Sequence, residues 1–269
     1  MSFNRNHFQQ TLQNLFGDTT PQTITLYPFH TLASTNKTAW EFLKQSLPTP
    51  LLIIANRQTA GQGQWGRQWQ SSPGGLYLSL ALTSPRPLDP PLTLAIAVGI
   101  AENLRHWDIP LQLKWPNDLI LNGQKLGGIK TEIHTHNQQT SQVVIGVGIN
   151  WQNDVSPPAT NLQNYPQIAH LEQLAALTVH GIISGYQSYL QEGLSKLLPP
   201  YLELLTNRGQ AVKVQNQQGT IVGITRQGAL RVRLATANAS TEITCPIGSI
   251  SWGVETSSSP IHPEKSPVV

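Results

Sequence analysis

Cysteine is almost absent from this 269-residue chain. Cys245 stands alone, so no disulfide can form within the sequence and nothing in it demands an oxidising compartment. Charge is scarce too, at 12% of residues against a usual quarter. The 17 Lys and Arg nearly balance 14 Asp and Glu, leaving a formal net charge of +3. Those cations are scattered through the chain, which argues against a long polyanion as partner. Long apolar runs are missing as well. No stretch approaches the roughly 18 uninterrupted apolar residues of a membrane span, and the opening MSFNRNHFQQTLQNLFGD lacks the apolar heart of a signal peptide. These absences predict a soluble, cytoplasmic protein without membrane association.

What is present is a long alternation of strand and helix patterns, with enough chain for one medium domain and a small appendage. Phe8, Leu12, Leu15 and Phe16 predict a short amphipathic helix stopped at Gly17 and Asp18. TITLYPFH (23–30) reads as a strand, Ser34-Thr35-Asn36 as a turn capping a helix over KTAWEFLKQS, and LLIIAN (51–56) as a buried strand. A polar, Gly-rich stretch runs from Arg57 to Gly75, and LYLSLAL (76–82) then alternates as a strand. Residues 92–107 are apolar on most sides at helical length. LQLKW, DLILN, KLGGIKTEI and QVVIGVGIN follow as four strand candidates, with a turn signal at Asn122-Gly123. Residues 153–169 read as a loop, and 171–205 as helix broken at Pro199-Pro200. From Gln210 the pattern becomes short strands, AVKV, GTIVGIT, ALRVRL, TEITC and ISWGV, which suggest a small β-barrel. The final TSSSPIHPEKSPVV has no packing pattern and is expected to be disordered. The fold class is therefore α+β with a mixed sheet and a small C-terminal β unit.

Four short motifs offer chemistry. In Thr59-Ala60-Gly61-Gln62-Gly63-Gln64-Trp65-Gly66-Arg67-Gln68-Trp69, glycines let backbone approach an anion, Arg67 adds a charged fork, and Trp69 offers a flat face for a purine. A Gly-rich run alone reads first as a flexible surface loop, and the two flanking tryptophans weaken that reading. Lys114-Trp115-Pro116-Asn117-Asp118 can supply an adenine contact and a magnesium ligand, or be no more than a capped turn. Lys125-Leu126-Gly127-Gly128-Ile129 starts seven residues later, and a hairpin at Asn122-Gly123 would return Lys125 beside Asp118. Otherwise Lys125 is a solvated strand-edge lysine. In Gly146-Val147-Gly148-Ile149-Asn150, glycines thin a strand so that another group can lie against it. Gly123 to Thr131 is no Walker loop, because Ile129 separates Gly128 from Lys130. His134 and His136 share a strand face, but no third metal ligand is nearby. Trp40 and Phe42 read as core.

In this order and spacing, Ser34-Thr35-Asn36, Gln58-Thr59-Ala60-Gly61, Gly66-Arg67, Trp69, KWPND, KLGGI and GVGIN resemble the biotin protein ligases over about residues 25–255. The resemblance implies a class II aminoacyl-tRNA synthetase-like catalytic domain over 1–206, an SH3-like barrel over 207–255, and a tail over 256–269. It implies two steps: biotin attacks the α-phosphate of Mg-ATP to give biotinyl-5′-AMP, and a carrier lysine then takes the biotinyl group. Both rest on positioning and charge stabilisation. Carried onto this chain, Lys125 and Arg67 are the catalytic groups. Ser34, Thr35, Asn36, Gln58, Gly61, Gln62, Gly63, Gly128 and Ile129 form the biotin site. Gln64, Trp65, Arg67, Trp69, Asn117, Lys125 and Asn150 hold the nucleotide, and Asp118 and Asn150 help bind magnesium. The implied partner is a biotin carboxyl carrier protein, a subunit of acetyl-CoA carboxylase, with the ligase a monomer or homodimer.

Two departures stand out. Relatives often carry arginines where this loop has Gln62 and Gln64, so charge-assisted contacts to phosphate give way to neutral ones. The first strand also opens too early for a helix-turn-helix repressor domain, which predicts no DNA binding. Lipoate or octanoate ligation on the same fold, and non-catalytic nucleotide or RNA binding, are the competing readings.

Overall fold

The computed structural model describes residues 3–17, 24–214, 217–236 and 239–247. Helix α1 (Arg5–Phe16) is capped by Asn4, whose side chain accepts from His7 N, and buries Phe8 and Leu12. There follow β1 (Thr25–Leu32), α2 (Thr35–Lys44), β2 (Leu51–Gln58) and β3 (Leu76–Ser84). Next come α3 (Leu92–Arg105), β4 (Leu111–Lys114), β5 (Asp118–Leu121), β6 (Gln124–His136) and β7 (Thr140–Ile149). Strands β1 to β7 form one sheet in the order β1-β2-β3-β7-β6-β5-β4. Only the β1–β2 pair is parallel, so the sheet is mixed, as the sequence predicts.

The sheet is covered unequally. One face meets the main core, where α3 and α4 (Leu171–Glu192) lie against each other and α1 packs outside α4. Sheet on one side and α4 on the other account for a helix α3 buried over eleven of its positions. On the opposite face α2 covers a patch around Ala39, Leu43, Leu51, Ile53, Ala81 and Val144. Strand β3, whose sequence alternates, is buried on both faces except at Thr83, because it is an inner strand with cover on each side. Beyond the α2 patch the sheet face is left open, and the cleft described below lies there.

The helical break expected at Pro199-Pro200 falls elsewhere. Gly193, at φ 67°, ends α4 and starts α5 (Leu194–Leu204), and both prolines sit inside α5. Glycine adopts this left-handed geometry without steric cost. The carbonyls that lose partners to the prolines belong to Ser195 and Lys196, which are exposed and can be solvated.

The chain ends in a four-stranded antiparallel sheet, ordered β11-β10-β9-β8, from β8 (Ala211–Val214), β9 (Gln217–Ile224), β10 (Leu230–Thr236) and β11 (Ala239–Cys245). It is tied to the large sheet near β4. Thr206 N and Oγ1 both donate to Leu113 O, and Trp115 Nε1 donates to Gly228 O at 2.9 Å. The predicted strand ISWGV and the tail over 256–269 lie outside the described residues. Among the described residues no helix is long and apolar enough to cross a membrane.

Candidate active site

The open face is built from strand parity. Gly146 and Gly148 of β7 point to the same side as Ser79 and Tyr77 of β3 and Lys130 and Gly128 of β6, which pair with them across the sheet. The two glycines leave that surface recessed. A Cβ on Gly148 would stand 2.5 Å from Trp69 Nε1, and one on Gly146 would overlap the Asn36 carboxamide. The groups that lie against the thinned strand are therefore Trp69 and Asn36.

Helix α2 brings one wall. Ser34 caps it, and its Oγ accepts from Lys37 N. Thr35 follows in the first turn, where its backbone N and its Oγ1 both donate to Gln58 Oε1 at 2.8 and 3.1 Å. Gln58 Nε2 in turn donates to Ser71 Oγ. The Ser79 hydroxyl lies 2.7 Å from Thr35 Oγ1 and 2.6 Å from Asn36 Oδ1, and donates its one proton to one of them at a time. Asn36 Nδ2 donates to Glu132 Oε2 at 2.7 Å. A hydrogen-bonded row thus links side chains of β2, β3 and β6 under the cleft, fixing groups that would otherwise cost entropy to order on binding.

The Gly-rich stretch is a small closed hairpin. Trp69 N donates to Gly61 O, Gly63 N to Arg67 O, and Gln62 bridges Gln68. A single 3₁₀ turn, Gln64–Gly66, forms its tip, where Trp65 sits at φ 56° with 45% of its surface exposed. The Arg67 guanidinium lies 5.7 Å from the Trp65 ring centre. Trp69 turns inward, and Lys125 Nζ stands 5.6 Å over its ring.

The far wall is the β4–β5–β6 meander. Asn122 and Gly123, at φ 50° and 77°, make the expected tight turn. The ladder is interrupted between Leu119 and Ile120, and on either side of that irregularity Asp118 faces Gly128 and Ile120 faces Lys125. Lys125 Nζ and Asp118 Oδ1 are 2.6 Å apart, with 39% and 24% of their side chains exposed. Asn117 clamps the next strand: its O accepts from Ile129 N and its Nδ2 donates to Ile129 O. Behind Asp118, burial raises the Tyr201 hydroxyl pKa well above 10.0, and the carboxylate's charge adds to the shift.

Together these walls enclose a cleft of about 240 Å³. It holds a neutral polar end at Ser34, Thr35 and Gln58 and a charged end at Asp118 and Lys125, with Trp69 also lining it. Gln64 Oε1 and Trp69 Nε1 are buried at its edge without a partner in the protein. Such a site can hold a polar head at one end and steady developing negative charge at the other.

Residues 29–150 match the family described as Biotin/lipoate A/B protein ligase. The chain is also similar to the bifunctional ligase/repressor BirA of Bacillus subtilis, 41% identical over 123 residues. That match covers 44% of this chain and 38% of the relative. The Escherichia coli protein of the same name is 32% identical over 191 residues, 66% of this chain and 60% of that one. The matches thus span less than two thirds of these relatives' lengths. In structure the chain is similar to the biotin protein ligase of Aquifex aeolicus in complex with biotin and ATP. The TM-score is 0.64 at 23% identity, over 81% of this chain and 95% of the other, a likeness of fold.

Most residues singled out from the sequence meet in the cleft. Ser34, Thr35, Asn36, Gln58, Gln62, Gly63, Gln64, Trp65, Arg67, Trp69, Asn117, Asp118, Lys125, Gly128 and Ile129 all line it. Two stand back. Gly61 is buried at the hairpin base, and Asn150 lies beneath the site with Nδ2 donating to Thr160 O and Oδ1 accepting from Asn153 Nδ2. Sequence reasoning missed Lys130, Glu132 and Ser79. Parity would have found two of them, since residues 128, 130 and 132 alternate onto one face of β6. Ser79 was hidden within an apolar run.

Proposed function

We propose that this chain is a biotin protein ligase. It forms biotinyl-5′-AMP from biotin and ATP and passes the biotinyl group to a lysine of a biotin carboxyl carrier protein, the partner acetyl-CoA carboxylase would supply. The observation that carries the reading is one cleft holding a prearranged Thr35–Gln58 polar end and the Lys125–Asp118 pair at its other end. The first suits an uncharged ureido head, the second a carboxylate meeting a phosphate. The proposed division is a class II synthetase-like catalytic domain over 1–206 and an SH3-like unit over 207–255.

In the first step a biotin carboxylate oxygen bonds to the α-phosphorus while the bond to the pyrophosphate oxygen breaks. Lys125 Nζ stabilises the charge gathering on the oxygens, and Arg67 grips phosphate at the hairpin. In the second, the carrier amine attacks the acyl carbon, AMP leaves, and the nitrogen gives up a proton. Trp69 packs beside the adenylate. No cluster of three acidic, His or Cys side chains exists among the described residues. One cleft carboxylate, Asp118, fits magnesium carried in by the nucleotide, which takes most of its ligands from phosphate and water. Such an ion would neutralise phosphate charge. With its carboxamide engaged by Thr160 and Asn153, Asn150 supports the site from below.

The test is mass spectrometry of a biotin carboxyl carrier protein after incubation with the chain, biotin and ATP. The expected result is one biotinyl addition on one lysine. Addition of lipoate in preference to biotin would move the substrate assignment to the family's other branch.

A further inference from the structure

Lys130 and Glu132 belong to none of the roles above, yet both stand on the cleft face of β6. Lys130 Nζ lies 3.2 Å from Glu132 Oε1 and donates to Gln62 Oε1 at 3.2 Å, on the hairpin. The other carboxylate oxygen of Glu132 accepts from Asn36 Nδ2 at 2.7 Å and Trp40 Nε1 at 3.3 Å. Asn36 continues to Ser79, Ser79 to Thr35, and Thr35 to Gln58. A chain of contacts therefore joins the hairpin to the polar end of the cleft through one carboxylate. The Lys130 side chain is only 18% exposed, so its stem is packed on the sheet and its ammonium is held near these partners.

We infer that Glu132 and Lys130 are positioning residues, a latch that holds the Gln62 hairpin down over the cleft and couples its closure to the arrangement of Asn36, Thr35 and Gln58. The inference deepens the ligase reading, and rests on it for the nature of the ligand beneath the hairpin. The geometry assigns each part a reason. The hairpin's backbone bonds at Trp69–Gly61 and Gly63–Arg67 close it on itself and leave its tilt over the sheet to other contacts. The Lys130–Gln62 bond supplies one from the floor. Glu132 directs it by holding the ammonium 3.2 Å from one carboxylate oxygen, and its second oxygen fixes which way the Asn36 amide points. Charge-assisted bonds of this kind hold geometry better than the neutral ones they replace.

Arg67 lies in the hairpin, so trypsin cleavage after it reports how often the hairpin lifts, independently of ligase activity. We expect cleavage about fivefold faster in Lys130→Met, Glu132→Gln and Gln62→Ala, and close to the parent rate in Lys130→Arg. The double variant Lys130→Met/Glu132→Gln should cut no faster than either single, since both break one link. In biotin-dependent exchange of pyrophosphate into ATP, the same variants should raise KM for biotin about fivefold and leave kcat within about twofold. Glutamine at 132 and alanine at the exposed 62 keep the fold at low risk, and melting curves identify any variant that does not fold. Unchanged cleavage in Lys130→Met and Gln62→Ala, or multiplicative effects in the double variant, would overturn the latch. Faster cleavage without biotin-dependent exchange in the parent would uphold the latch and sink the ligase reading.

Discussion

At the scale of single residues, the cleft depends as much on missing atoms as on functional groups. The Trp69 indole packs directly on Gly148, so Gly148→Ala should push it off the sheet. We expect nucleotide KM to rise at least about tenfold with a small loss of stability, measured by steady-state kinetics and thermal melting; this follows from loss of a packed, pre-ordered contact. Tyr201 tests a different property. Its hydroxyl is fully buried without a partner in the protein, and a buried orphan costs stability. Tyr201→Phe should leave stability unchanged or raise it by up to about 1 kcal/mol in urea unfolding. The motifs at this scale were readable because their residues are close in sequence, and Lys125 meets Asp118 through one short turn. Gly148 under Trp69 was half legible: the sequence marked a strand thinned for contact, while the contacting group lies 79 positions away and only the fold names it. Lys130 and Glu132 escaped because an isolated lysine or glutamate on a strand looks like a solvated edge until the neighbouring strands are known.

At the scale of elements, periodicity served well where each helix or strand had one dry face. Helix α1 followed from Phe8, Leu12 and Phe16, and its docking on α4 brings Phe16 against His180 with ring centres 4.6 Å apart. His7 meets His170 at the other end of the same contact. Burial lowers the His180 pKa from 6.5, and its Nδ1 has no partner. Below that pH the unfolded chain binds a proton that the folded chain resists, so the stability present above pH 6.5 is lost as pH falls. His180→Leu should flatten the drop in unfolding free energy between about pH 7 and pH 5; an identical drop in the variant would remove His180 as its source. The α4–α5 boundary was illegible for a physical reason. A proline weighs heavily in sequence reasoning, yet α5 keeps two where the orphaned carbonyls reach water, and the turn is made by Gly193 instead.

At the scale of the whole molecule, KWPND joins two units. Its Asp118 faces the cleft, while Trp115, buried at 1% exposure, reaches the β9–β10 turn through its indole N–H. Trp115→Phe keeps the bulk and removes that bond, and should cost about 1 kcal/mol. The C-terminal sheet should exchange amide hydrogens faster as a result, with the β1–β7 sheet protected as before. The sequence could place both units but not their contact, because a tryptophan's partner 113 positions away leaves no trace in local pattern. The central claim is that one cleft binds biotin and ATP together and activates the carboxylate, and exchange of labelled pyrophosphate into ATP tests it most directly. Exchange should require biotin, ignore lipoate, and fall at least about a hundredfold in Lys125→Ala. Exchange independent of biotin, or undiminished in Lys125→Ala, would contradict the account.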